Sequence, residues 1–228
     1  MVSHKHKCIF IHIPKAAGTS IEMAFLDDLE LDMNNRHALL LGENTNIDSG
    51  PRRVSHLTAS EYVDLHFVSQ EIYDKYFKFS IVRHPVDRLY SSYKYRTFSD
   101  YISFDTFVKI KLPQLFNSKK EGFFYKSQYD YIFCGKDYCV NFIGKFENLS
   151  EDFKIIKDKA GLKSDLKHHN KSKIKRSSII KKIGKIMKDP NVLSNFSCKH
   201  KRKYLSPAAV DIIKKYYEKD FENFNYEL

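Results

Sequence analysis

CIFIHIPKAAGTSIEMAF, residues 8–25, runs from a strand pattern through a short turn into a helix pattern. The apolar run Cys8–Ile13 is β-branched and aromatic and is followed by Pro14, which predicts a strand buried on both faces. From Gly18 onward the apolar spacing is helical, and the hydroxyl side chains at the start suit the first turn of a helix.

The same strand-turn-helix order occurs twice more. A strand is predicted at 77–82 and a helix at 86–95 after Pro85, and a third pair is predicted at 141–146 and 149–160. This repetition predicts an α/β fold with a parallel sheet flanked by helices. Residues 34–56 are predicted to form a loop, and residues 206–220 a capped amphipathic helix.

Length and composition favour a single domain over residues 1–228. The chain has 228 residues, 42% of them hydrophobic, which suffices for a packed core. No apolar run is long enough for a membrane span, and we expect no signal peptide. The 4 cysteines are too few for a disulfide scaffold, so reduced thiols and a cytoplasmic location are expected.

Positive charge is concentrated in one part of the chain. Residues 151–203 contain 17 Lys and Arg against 5 Asp and Glu, whereas the rest of the chain contains 22 against 23. The Lys-rich segment at about 163–203 is therefore either a solvated helical stretch or a surface for an anionic partner such as an acidic acceptor.

The turn after the first strand has the composition of an anion site. Small side chains let the backbone approach a phosphate, the helix amides point toward it, and Lys15 adds a positive charge. Lys15 precedes Gly18 and no leading glycine is present, so the turn is not the phosphate loop of Mg²⁺-dependent kinases.

IHIPKAAGTS, residues 11–20, resembles the 5′-phosphosulfate loop of sulfotransferases that use 3′-phosphoadenosine-5′-phosphosulfate (PAPS), in particular the carbohydrate sulfotransferases. The resemblance implies a three-layer, P-loop nucleotide-kinase-like fold, with 3′-phosphoadenosine-5′-phosphate (PAP) as the product. It implies that the following residues line the 5′ end of the cofactor: Lys15, Ala17, Gly18, Thr19 and Ser20. A cation there would stabilise charge on the departing phosphate oxygen in the transition state.

A second motif, IVRHPVDRLYSSY at residues 81–93, is similar to the family's 3′-phosphate motif. The resemblance assigns Arg83 and Ser91 to the 3′-phosphate, a pairing of guanidinium and hydroxyl that suits a phosphate group. Arg88 matches the inner arginine of the motif, or forms a structural ion pair with Asp87 or another acid.

Transfer to a hydroxyl needs a general base near the acceptor. Relatives of the carbohydrate type have a histidine between the two motifs, and His56 occupies the matching place, so Lys15 and His56 are the expected catalytic residues. Glu22 and His66 are the alternative bases. His12, inside a buried strand, is expected to be a core residue.

The resemblance therefore predicts an enzyme that moves a sulfuryl group from PAPS to a hydroxyl, most simply of a carbohydrate, without a metal. Two other functions fit parts of the sequence: an ATP- and Mg²⁺-dependent kinase, and a nucleic-acid-binding protein. The spacings of Cys134, Cys139, Cys198 and His200 are a poor match to a zinc site, and a Cys134–Cys139 disulfide is conceivable in an exported protein.

Overall fold

The computed structural model describes residues 1–46, 48, 54–166 and 205–228. The chain forms two compact units. The first contains Met1–His84 and residues 126–166, and the second contains Pro85–Tyr125 and residues 205–228. Each unit is assembled from two separate stretches of chain, and the single domain over residues 1–228 remains a prediction.

The first unit is built on a sheet. The strands described are β1 (Val2–Ser3), β2 (Cys8–Ile11), β3 (Phe77–Val82), β4 (Phe133–Cys134), β5 (Asp137–Tyr138) and β6 (Phe142–Lys145). The main sheet has the order β1-β2-β3-β6, in which β2, β3 and β6 are parallel and β1 is antiparallel. The predicted mixed α/β architecture, with a sheet that contains parallel strands, is confirmed.

The α-helices described are α1 (Gly18–Asp28), α2 (Glu61–Asp64), α3 (Gln70–Lys75), α4 (Pro85–Tyr95), α5 (Phe104–Thr106), α6 (Leu112–Phe116), α7 (Gly122–Tyr125), α8 (Tyr129–Ile132), α9 (Leu149–Ala160) and α10 (Pro207–Asn223). The predicted helices at 86–95 and 149–160 are confirmed, and the last helix is longer than predicted. The predicted loop at 34–56 is partly wrong, because Met33–Leu39 and Val54–His56 form 3₁₀ helices.

The core of the first unit lies between the sheet and α1. Phe10 on β2 stacks on Phe79 on β3 with ring centroids 5.0 Å apart, and Phe25 of α1 stacks on Phe79 at 6.1 Å. All four residues of β2 are buried, as its uninterrupted apolar sequence predicts. The strand ends at Ile11 rather than Ile13, and the turn begins at Pro14.

The second unit is helical where it is described. Its core contains aromatic residues of α4, α5 and α10, among them Tyr93, Phe104 and Tyr217. The hydroxyl of Tyr217 donates to the carbonyl oxygen of Tyr125 over 2.9 Å. Ser206 is the N-cap of α10, and its side chain accepts from the amide of Ala209, the N-terminal cap that the sequence predicts.

Strands β4 and β5 form a hairpin closed by a disulfide between Cys134 and Cys139. The expectation of reduced thiols is therefore wrong for this pair, because the hairpin brings together two cysteines that are 5 residues apart. Cys8 is a buried free thiol, and Cys198 lies outside the described residues. None of the helices in the described ranges combines the length and apolar character needed to cross a bilayer.

Candidate functional site

The candidate site lies at the carboxyl ends of three parallel strands of the first unit. Ile11 of β2 is level with Ser80 of β3, and Val82 of β3 is level with Lys145 of β6. The segments that follow these strands therefore leave the sheet at one edge, the usual place for ligands in α/β folds. The predicted anion turn follows β2, and Arg83 follows β3.

The turn between β2 and α1 has a strained backbone. Lys15 and Ala17 have φ angles of 68° and 64°, the left-handed region that residues with a Cβ rarely adopt. Ala17 is the N-cap of α1 and offers no side-chain acceptor to the helix amides. Backbone amides without a capping side chain, in a turn with positive φ angles, are typical of anion sites.

The hydroxyl residues of the motif lie in the first turn of α1. Thr19 is exposed and Ser20 is half-buried. The amide of Ser20 donates to the carbonyl oxygen of Ala17 over 2.9 Å. The structure therefore brings Lys15, Ala17 and the two hydroxyls together at the start of one helix, as the motif predicts.

Arg83 lies beside this turn. Its Nη1 donates to the carbonyl oxygen of Lys15 over 3.3 Å, and its guanidinium lies over the ring of Phe146 at 4.0 Å from the centroid. Burial, and to a smaller extent the positive charge of Arg83, lower the pKa of Lys15 to about 8. Two cations held together in a partly buried site favour the binding of an anion.

The main chain of Arg83 is held by Gln128, a residue that the sequence analysis did not identify. Oε1 of Gln128 accepts from the amide of Arg83 over 2.8 Å, and Nε2 donates to the carbonyl oxygen of Arg83 over 2.8 Å. Gln128 is fully buried. No local pattern predicts this contact, because it joins residues that are 45 positions apart.

His56 lies directly beside the turn. It is buried, and its Nδ1 is 3.0 Å from the carbonyl oxygen of His12, the first residue after β2. A carbonyl oxygen only accepts hydrogen bonds, so Nδ1 carries the hydrogen and Nε2 carries the lone pair in the neutral ring. This is the tautomer that a general base requires.

The structure places the two alternative bases in different surroundings. Glu22 is buried in α1, and its Oε1 is 2.7 Å from Nδ1 of His12. Burial alone would raise the pKa of Glu22, but the adjacent His12 holds it below the ordinary value, which suits a stable carboxylate better than a base. His66 is exposed after α2, with a φ of 60°.

The second motif continues into the other unit. Ser91 is half-buried in α4, and its pairing with Arg83 at a phosphate remains a prediction. Arg88 is buried, with its guanidinium over the ring of Tyr217 at 5.5 Å. Both interpretations of Arg88, the inner arginine of the motif and a structural ion pair with an acid, remain predictions.

Two features of the sequence fall largely outside the described residues. Only residues 163–166 of the Lys-rich segment are described, and Cys198 and His200 of the weak zinc pattern are not. Within the described ranges, no three His, Cys, Asp or Glu side chains are grouped so that they could hold a metal ion.

Comparison with known proteins identifies the family of this chain. A search of curated proteins and a search of solved structures found no match. The family model described as "Sulfotransferase family" matches residues 1–227, nearly the whole chain. This match agrees with the cationic turn after β2 and the second motif after β3. The chain therefore belongs to the sulfotransferase family.

Proposed function

We propose that this chain is a PAPS-dependent sulfotransferase that moves a sulfuryl group to a hydroxyl of a carbohydrate. The observation that carries the proposal is the meeting of Lys15 and Arg83 at one edge of the sheet, next to the start of α1. Membership of the sulfotransferase family supports sulfuryl transfer in general. PAPS as the donor, a carbohydrate as the acceptor and the roles of the residues are what we propose in addition.

The residues fit a doubly phosphorylated nucleotide. Burial and the charge of Arg83 both disfavour the charged form of Lys15, and a bound anion would relieve the repulsion between the two cations. The residues proposed to hold the 5′-phosphate end are Lys15, Ala17, Gly18, Thr19 and Ser20, and those proposed to hold the 3′-phosphate are Arg83 and Ser91. PAPS, when bound, supplies the sulfuryl group and leaves as PAP.

His56 is the proposed general base. Its Nδ1–H is held by the carbonyl oxygen of His12, so in the neutral ring Nε2 is the atom that would take the acceptor proton. Lys15 and the first amides of α1 stabilise the negative charge that develops on the departing phosphate oxygen. Since these protein groups compensate that charge, the proposed mechanism assigns no role to a metal ion.

Two further predictions belong to this proposal. The three-layer, P-loop-like form of the fold is supported by the parallel strands β2, β3 and β6 and by the anion turn after β2. A cytoplasmic location is the second, and the Cys134–Cys139 disulfide weighs against it because such bonds are rare in reducing compartments.

Thermal shift with PAP and with ATP–Mg²⁺ tests the cofactor. PAP at 100 times its dissociation constant should stabilise the protein by about 2.7 kcal/mol. Lys15→Ala should remove this stabilisation, whereas Lys154→Ala, the same change at an exposed position of α9, should retain it. Stabilisation by ATP–Mg²⁺ and not by PAP would overturn the proposal in favour of a kinase.

Transfer of labelled sulfate to a panel of glycans tests the reaction. His56→Ala should lower the rate by roughly 10²-fold or more while PAP affinity stays within a few-fold of the wild type. A His56→Ala variant that transfers sulfate at the wild-type rate would exclude this residue as the base.

A further inference from the structure

Glu22 and His12 form a buried pair that the proposed mechanism does not use. Oε1 of Glu22 and Nδ1 of His12 are 2.7 Å apart, and their side chains are 3% and 8% exposed. Both residues flank the anion turn, one in α1 and the other directly after β2. Burying two ionisable groups lowers the stability of a protein unless both are hydrogen-bonded. The contacts of this pair therefore indicate its role.

The ring of His12 contacts both parts of the proposed machinery. A Cβ added to Gly18 would lie 1.7 Å from Nε2 of His12, so this nitrogen packs directly against the first residue of α1. On another side, the rings of His12 and His56 meet edge to face with centroids 4.4 Å apart. The carbonyl oxygen of His12 also accepts the Nδ1–H of His56.

Glu22 sets the orientation of this ring. The low pKa of Glu22, to which His12 contributes, keeps it a carboxylate, and a carboxylate only accepts hydrogen bonds. Nδ1 of His12 therefore donates, and the ring is held with Nε2 toward Gly18. The stacked ring of Phe10, at 5.4 Å, closes a third side.

We infer that Glu22 and His12 are positioning residues: the Glu22 carboxylate locks the His12 ring between Gly18 and His56, and so sets the anion turn and the base relative to each other. This inference rests on the proposed function. It also excludes Glu22 as the base, since its bonding oxygen is engaged with His12 and its charge is stabilised. A displacement of about 1 Å at either contact would lower the rate of transfer by up to roughly 10²-fold.

Three substitutions of Glu22 test this role. Glu22→Gln retains an oxygen that accepts from Nδ1 of His12, and should keep the rate of transfer within about fivefold of the wild type. Glu22→Ala removes the acceptor and should lower kcat by about 10- to 100-fold at saturating PAPS and acceptor. If the alanine variant does not fold, Glu22→Met, which is similar in size, takes its place.

Asp28→Asn is the matched control. Asp28 lies at the other end of α1, and its carboxylate, 5% exposed, is 2.9 Å from Nε2 of His6. It is thus a second buried carboxylate–imidazole pair on the same helix. This variant should lose stability in thermal melts and keep the wild-type kcat when assayed well below its melting temperature.

Each outcome distinguishes the inference from the proposed function. If the wild type neither binds PAP in calorimetry nor transfers sulfate, the proposed function fails. If the wild type is active and folded Glu22→Ala or Glu22→Met has the wild-type kcat, the positioning role is wrong. If Glu22→Gln binds PAP normally but is as inactive as the alanine variant, Glu22 is itself the base and the inference is overturned.

Discussion

Nη1 of Arg83 donates a hydrogen bond to the carbonyl oxygen of Lys15 over 3.3 Å, which joins the two motifs of the candidate site. The contact exists because β2 and β3 are adjacent and parallel, so the segments after them leave the sheet side by side. It fixes the strained turn at Lys15 and places a second positive charge beside the ammonium group. Together with burial, which is the larger cause, this charge lowers the pKa of Lys15 to about 8.

PAP affinity should therefore fall as the pH rises through about 8, the pKa of Lys15 in the free protein. Only the protonated ammonium attracts the phosphate, so the dissociation constant should rise by up to tenfold per pH unit above that value. Calorimetric titration between about pH 7 and 9.5 measures this. Lys15→Arg keeps its charge throughout and should show a flat profile, and a flat profile in the wild type would contradict the prediction.

The effect of the same lysine on folding has the opposite sign. Its folded pKa of about 8 lies below the value of about 10.4 for an unfolded chain, so the unfolded state binds more protons between these two values. The contribution of Lys15 to stability consequently rises with pH in that window while PAP affinity falls. A loss of affinity caused by unfolding would instead coincide with a loss of stability.

Gln128→Ala should destabilise the protein by about 2 to 4 kcal/mol, because it leaves the amide and carbonyl groups of Arg83 without the two bonds they now make to Gln128. It should also weaken PAP binding, since the main chain of Arg83 loses its anchor. Urea denaturation and calorimetry measure the two effects. Gln114→Ala, at an exposed position of α6, should change the free energy of unfolding by less than about 0.5 kcal/mol.

Local signals account for the parts of the fold that the sequence predicts well. Phe77–Val82 is a strand in which Phe and β-branched Ile and Val predominate, and α4 begins at Pro85, whose fixed φ suits the first turn. The turn at Lys15 is likewise readable, because small residues, a glycine and hydroxyls occur together between a strand and a helix.

The contacts that assemble the site depend on distant parts of the chain. His56 bonds to the residue 44 positions before it, and its role could be proposed from a family pattern but not its tautomer. The pairing of Glu22 with His12 is between residues 10 apart, and nothing in their spacing separates a base from a positioning carboxylate. The short helices α5 to α8 were not predicted, because helices of one turn have too little periodicity.

Gly18→Ala should lower the free energy of unfolding by about 3 kcal/mol or more and abolish PAP binding. The new Cβ would lie 1.7 Å from Nε2 of His12, and the His12 ring has no room to retreat because Glu22 holds its other nitrogen. Gly42→Ala is the control, because a Cβ there meets nothing within 4 Å. Equal melting temperatures for the two variants would show that the His12 ring moves aside without cost.

Alkylation mapped by peptide mass spectrometry should distinguish the cysteines. Without reductant, Cys134 and Cys139 should remain unlabelled by iodoacetamide because they are joined, and both should react after reduction. Cys8 should stay unlabelled in the native protein in both cases, since burial raises the pKa of its thiol to about 12 and the thiolate is the reactive form.

The double variant Cys134→Ser/Cys139→Ser should lose about 2 kcal/mol of stability, because the disulfide closes a short loop and so lowers the entropy of the unfolded chain. Labelling of Cys134 and Cys139 without reductant would show that the bond is absent. The same labelling of protein prepared from a reducing cytosol tests the location. A disulfide that is present in that protein is compatible with a cytoplasmic enzyme, whereas a disulfide that forms only in an oxidising compartment indicates export.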